Sequence, residues 1–138
     1  MQPRSDESAW PDAIGHRPRS SWRSKFAVAF RGLKLGIHGH SSFFVHFFMT
    51  ALVLVTAWVL GCELWQWCVL IGCIALVLTT ELVNSAIETL FRGLDDEHKQ
   101  RCWPALDVAA GAVLLASLFA AVMGLLVFGS RILQFWMR

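Results

Sequence analysis

Charge is scarce in this 138-residue sequence, and over long stretches it is missing altogether. Phe43 to Cys62 and Val108 to Phe128 contain no Lys, Arg, Asp or Glu, and His46 is the only side chain in them that gains charge near neutral pH. Runs of that kind, in a chain that is 56% hydrophobic, hold more apolar surface than a soluble domain of this size normally buries. Paired cysteines are missing too: Cys62, Cys68, Cys73 and Cys102 form no C-x-x-C pair and no zinc spacing, which leaves them as small buried or interfacial residues. There is no P-loop and no dinucleotide fingerprint, because the glycines of "GLKLGIHG" (32–39) lack a strand before them. No stripe of basic and aromatic residues marks a nucleic-acid partner, and no internal repeat or low-complexity tract is visible. Nor does an apolar run stand close behind the N-terminal charges, so residues 1–42 do not read as a signal peptide.

What is present points to a lipid bilayer. The two uncharged runs match the ~20 residues that span a hydrocarbon core. Leu64 to Thr80 is a third uncharged run, which as a helix rises roughly 25 Å and brings Glu81 close to the opposite interface. The expectation is an all-α integral membrane protein with spans at about 43–62, 64–91 and 105–128. Residues 1–40 carry seven Lys or Arg, the 92–107 connection holds Arg92, Lys99 and Arg101, and Glu63 is the only charge between the first two spans. By the positive-inside rule the N-terminus and the second connection face the cytoplasm, although Arg131 and Arg138 lie on the other side. Trp58, Trp65 and Trp67 cluster at the outer connection, as an interfacial belt or as core packing.

Residues 1–22 contain three of the four prolines and no apolar period, and read as a disordered cytoplasmic tail before a single domain at 23–138. Within 24–38, Phe26, Phe30, Leu33 and Ile37 recur at helical spacing with Lys25, Arg31 and Lys34 off that stripe. This amphipathic helix either lies at the membrane interface or docks on the other helices.

The informative stretch is "ELVNSAIE" at 81–88, directly after the third run. Glu81, Asn84 and Glu88 stand three and four residues apart, so a helix continuing the span puts them on one face. A helix end emerging into water tolerates glutamates without any function. Two carboxylates and an amide on one face, followed by Asp95, Asp96, Glu97 and His98, also make an oxygen-rich stripe suited to a hard cation such as Mg²⁺. At this depth a lipid hydroxyl can meet a nucleotide arriving from the cytoplasm. Phosphoryl transfer there needs a metal, charge-offsetting groups and a base near the attacking hydroxyl. Glu81, nearest the lipid, suits the base, and Glu88 suits the metal.

"ELVNSAIE" resembles the signature E-x-x-N-[ST]-A-x-E of the prokaryotic diacylglycerol kinase family, which includes the undecaprenol kinases. The similarity extends to "FRGLK" at 30–34 and "DVAAGAV" at 107–113, covering about residues 23–128. The resemblance implies a homotrimeric helical bundle in the bacterial inner membrane, using ATP and Mg²⁺ to phosphorylate a lipid alcohol at the cytoplasmic face. It makes Glu81 the general base with Asn84 beside it, and Glu88 a metal-binding carboxylate. Glu97 and Asp107 fall near the nucleotide, as do Glu88, Arg92 and His98, while Arg31 and Lys34 join Glu81 on the lipid-substrate side.

Several positions depart from the family pattern. His40 stands where the family has a second metal-binding Glu, Arg92 where it has an Asp, Leu106 where it has a phosphate-holding Lys, and His98 where a Tyr is common. His40 either joins Glu88 at the metal, although imidazole suits zinc better than magnesium, or is part of a turn in "HGH". Two functions follow from this pattern. One is an active kinase, with diacylglycerol the first substrate and undecaprenol the second, and the other is a non-catalytic lipid-binding protein on the same scaffold.

Overall fold

In the computed structural model, residues 21–38 and 42–137 are described, and every element in them is an α-helix. The tail expected at 1–22 lies almost wholly outside the described residues, and so does His40. The helices are α1 (Trp22–His38), α2 (Ser42–Val59), α3 (Leu64–Arg92) and α4 (Asp96–Trp136). The chain divides into two units, Met1–Gly32 and Leu33–Arg138.

In the first unit, Ser21 starts α1 by accepting the Ser24 backbone N–H on its hydroxyl at 3.3 Å, a cap for one of the donors that a helix start leaves open. The helix begins at Trp22, two residues before the expected Ser24. Lys25 Nζ sits 5.0 Å from the Trp22 ring centre, and Phe26, Phe30 and Arg31 are exposed.

In the second unit, each turn has a chemical cause. Helix α2 ends in a Schellman motif: Cys62 N–H returns to Ala57 O at 3.0 Å and Gly61 N–H to Trp58 O at 3.1 Å. Gly61 takes φ +59°, where a Cβ would be strained. The Glu63 backbone N–H then donates to Gln66 Oε1 at 2.9 Å, half of a capping box that opens α3. Arg131 of α4 clasps this turn, donating to Glu63 Oε1 at 3.0 Å and to the Gly61 carbonyl. At the far end Gly93 closes α3 by donating to Leu90 O. Asp95 caps α4 by accepting the His98 backbone N–H at 3.0 Å.

Helices α3 and α4 share the most extensive contact. The core lies toward the clasped end, where Ala57, Leu70 and Val127 are buried and Val53, Trp67 and Phe128 pack around them. Trp67 is therefore a core residue, whereas Trp58 and Trp65 are exposed. Cys73 is buried, Cys62 half-buried, and Cys68 and Cys102 exposed. Large apolar side chains such as Leu114, Leu118, Leu125 and Leu126 point outward along α4, more apolar surface than a soluble monomer exposes.

Among the described residues, two helices, α3 and α4, are long and apolar enough to cross a membrane, and the apolar part of α2, Phe43–Val59, is shorter. The expected span at 105–128 is the middle of a much longer helix. Its 41 residues rise about 60 Å, roughly twice a hydrocarbon core. Pro104, just ahead of residue 105, lies inside α4. It lies past the first turn, where a proline removes the backbone hydrogen bond to the residue four back and crowds that carbonyl.

Candidate functional site

The polar stripe is built by α3 alone, because its helical period carries positions 81, 84, 85 and 88 onto one side. Glu81, Asn84 and Ser85 are buried, at 3%, 8% and 2% exposure, and Glu88 is half-buried. Asn84 Nδ2 donates to Glu88 Oε1 at 3.0 Å, and Arg92 Nη2 donates to Glu88 Oε2 at 3.3 Å. The amide and the guanidinium thus hold one carboxylate from both sides. The other side of the Asn84 amide is different: Oδ1 is buried with no hydrogen-bond partner among the described residues, as is Ser85 Oγ. Buried acceptors of this kind cost free energy unless something satisfies them. An unsatisfied amide oxygen beside a glutamate is the donor set a hard cation takes. Among the described residues no group of three or more His, Cys, Asp or Glu converges on one point, so oxygens from elsewhere would have to complete such a coordination shell.

A second helix reaches the stripe. His46 of α2 places Nε2 3.8 Å from Glu81 Oε2, with the imidazole 20% and the carboxylate 4% exposed. His46 also borders a cavity of about 510 Å³ between α2, α3 and α4. The cavity walls are apolar apart from His46, Thr50, Ser117 and Cys73. The stripe is therefore joined, through His46, to a half-open apolar pocket.

The acidic turn after α3 is arranged differently. Glu97 pairs with Arg101 at 3.0 Å, Lys99 with Asp96 at 3.5 Å, and His98 Nδ1 lies 2.6 Å from Asp95 Oδ1. All of these are local pairs on the first turns of α4, where carboxylates favour the positive end of the helix. The His98 backbone N–H, and next its ring, hold the Asp95 carboxyl below the usual carboxylate range. Asp107 is exposed two turns further along α4 and makes no ion pair among the described residues, and Leu106 beside it is half-buried. Lys34 is exposed on the part of α1 that belongs to the second unit. In that part, a Cβ on Gly36 would come within 2.7 Å of Leu82 Cδ2. This close approach sets residues 33–38 against the α3 turn that carries Glu81.

The structure thus brings together Glu81, Asn84, Glu88 and Arg92, and adds His46 and Ser85, which the sequence reading did not assign to the site. Ser85 had a signal in the same period as its neighbours. His46 had only its rarity, since nothing in the sequence pairs residues 35 positions apart.

The family model of the prokaryotic diacylglycerol kinases matches residues 27–128, more than half of the chain, and the chain belongs to that family of membrane lipid kinases. It is 28% identical to an undecaprenol kinase of Bacillus subtilis (strain 168) over 118 residues, covering 85% of this chain and 96% of that protein. No solved structure matches.

Proposed function

We propose that this protein phosphorylates a membrane lipid alcohol with ATP at the cytoplasmic face of the inner membrane. The observation that carries this reading is the buried Glu81 where the apolar part of α3 ends. A carboxylate there is costly unless a reaction uses it, and it lies at the depth of a lipid hydroxyl. Glu81 accepts the hydroxyl proton as the alcohol oxygen bonds to the γ-phosphorus, and the bond from phosphorus to the bridging oxygen breaks to release ADP. Asn84 holds Glu88 in place, and Glu88 with the Asn84 amide oxygen forms the part of the site that takes Mg²⁺, joined by His40. When bound, that ion offsets the charge of the β- and γ-phosphates. Arg92 supplies the cation that Leu106 does not. Glu97, His98 and Asp107 border the nucleotide, and Arg31 and Lys34 the lipid headgroup. In this reading α2 crosses the bilayer as a third span, residues 23–138 act as one domain with the N-terminus cytoplasmic, and three copies form the working bundle.

Diacylglycerol is the first substrate by family membership. Undecaprenol is the second, favoured by the end-to-end similarity to the Bacillus subtilis enzyme. The test is transfer of labelled γ-phosphate from ATP to diacylglycerol, undecaprenol and ceramide, run in parallel in mixed micelles. A labelled phospholipid product with one of the alcohols supports the reading and names the lipid. The opposite outcome is a protein that neither binds nor hydrolyses ATP, yet becomes a kinase when Leu106→Lys, Arg92→Asp and His40→Glu are combined. That result would make the natural protein a non-catalytic lipid binder.

A further inference from the structure

The ionisable groups of the α3 stripe are met both from their own helix and from a neighbouring one. Glu88 is held by Asn84 and Arg92, both one turn away on α3. Glu81, the most deeply buried carboxylate, is met from another helix by His46. Position 46 lies on a run that otherwise carries only apolar and small polar side chains, so an imidazole there needs a reason. Its surroundings limit what that reason can be. The walls of the adjoining cavity hold no carboxylate and no Lys or Arg, which leaves Glu81 as the acidic group in ion-pair range of His46 among the described residues.

We infer that His46 is a positioning residue for the kinase reaction, which donates its Nε2–H to Glu81 Oε2 and keeps the carboxylate aimed at the lipid hydroxyl. The inference rests on the proposed function. Three points of geometry carry it. The separation of 3.8 Å is that of an ion pair and longer than a hydrogen bond, and such contacts commonly shorten once substrate is bound. The two side chains come from different helices, so their distance follows how α2 sits on α3, and a chain entering the cavity between those helices is placed to adjust it. The imidazole also separates Glu81 from the apolar space, so a hydroxyl whose tail occupies that space arrives beside the pair. His46 then orients the carboxylate through one oxygen while Glu81 takes the lipid proton. No further proton acceptor is required: the hydroxyl proton ends on Glu81 and leaves with product exchange.

The experiment compares His46→Gln, which keeps an N–H donor at about the reach of Nε2, with His46→Met, which fills similar space without one. Turnover and Michaelis constants are measured in mixed micelles with whichever lipid the wild type uses. The Met variant is expected to lose at least 10-fold in kcat, as for removal of a hydrogen bond to a charged group, with the Michaelis constants for ATP and lipid within twofold of wild type. The Gln variant is expected to keep most of the wild-type kcat. In a Glu81→Gln background the His46→Met change is expected to cost nothing further, because two groups serving one step are not additive. A Met variant with wild-type kcat, equal losses in Gln and Met, or a full additional loss in the Glu81→Gln background would each overturn the role of His46 while leaving the kinase reading intact. An inactive wild-type protein overturns the kinase reading itself and this role with it.

Discussion

Arg92→Ala separates a nucleotide-binding arginine from a helix ornament, because the two roles differ in size. In the structure its guanidinium lies 3.3 Å from Glu88 one turn back, with the arginine side chain 64% and the glutamate 32% exposed. If that pair is its whole role, it is an exposed i,i+4 contact worth ~0.3–0.5 kcal/mol, and the substitution lowers the thermal midpoint by about 1–3 °C. A phosphate oxygen at the same distance from a guanidinium in a solvent-rich setting interacts by roughly 1.3 kcal/mol per unit charge, close to a tenfold change in affinity. The nucleotide carries several charges, and in the proposed site Glu81, Glu88, Glu97 and Asp107 stand against it. Removing this guanidinium is therefore expected to raise the Michaelis constant for ATP about 10-fold or more, with kcat much less affected. Adding Leu106→Lys to Arg92→Ala is expected to recover part of that loss, since a lysine there returns the phosphate-holding cation of the family pattern. The assay is ATP dependence of labelled phosphate transfer, with thermal unfolding of each variant in the same detergent. A Michaelis constant that stays within twofold while the midpoint falls by the small helical amount would refute the phosphate role and leave Arg92 as Glu88's neighbour only.

Glu81→Gln is expected to reduce turnover by at least the ~10²-fold typical of a general base, with ATP binding by titration nearly unchanged; wild-type turnover would remove Glu81 from the chemistry. If His40 joins Glu88 at the metal, activity with Mn²⁺ or Zn²⁺ relative to Mg²⁺ should be high, and His40→Glu should move the preference toward Mg²⁺. An unaltered metal profile would place His40 in the turn alone. Asp95 offers a pH prediction. Its carboxyl titrates below its ordinary value of 3.8 in the folded protein because it caps His98. That capping contribution is present above pH 3.8 and is lost as pH falls through the lower folded value. Asp95→Ala should therefore unfold at a lower temperature than wild type at pH 7, and the gap should narrow in acid; a gap independent of pH would mean that the cap does not depend on the charge.

Much of this protein could be read from its sequence, and the reason lies in distance along the chain. The apolar runs and the spacing of Glu81, Asn84 and Glu88 are local patterns, set by the helix period. A signature of eight residues on one helix, with two further segments, was enough to indicate the family. Helix ends were harder to place. Helix α4 runs on past both ends of the 105–128 run, because the sequence does not encode where water ends and lipid begins. Beyond reach were the contacts between helices. That Arg131 clasps the Glu63 turn, that Trp67 is core while Trp58 and Trp65 are not, and that His46 meets Glu81 depend on how α2, α3 and α4 pack. Packing is decided by the fit of whole helix faces, not by any short pattern, so the sequence determined which residues stand on the stripe, and only the tertiary structure decided which side chain faces its buried carboxylate.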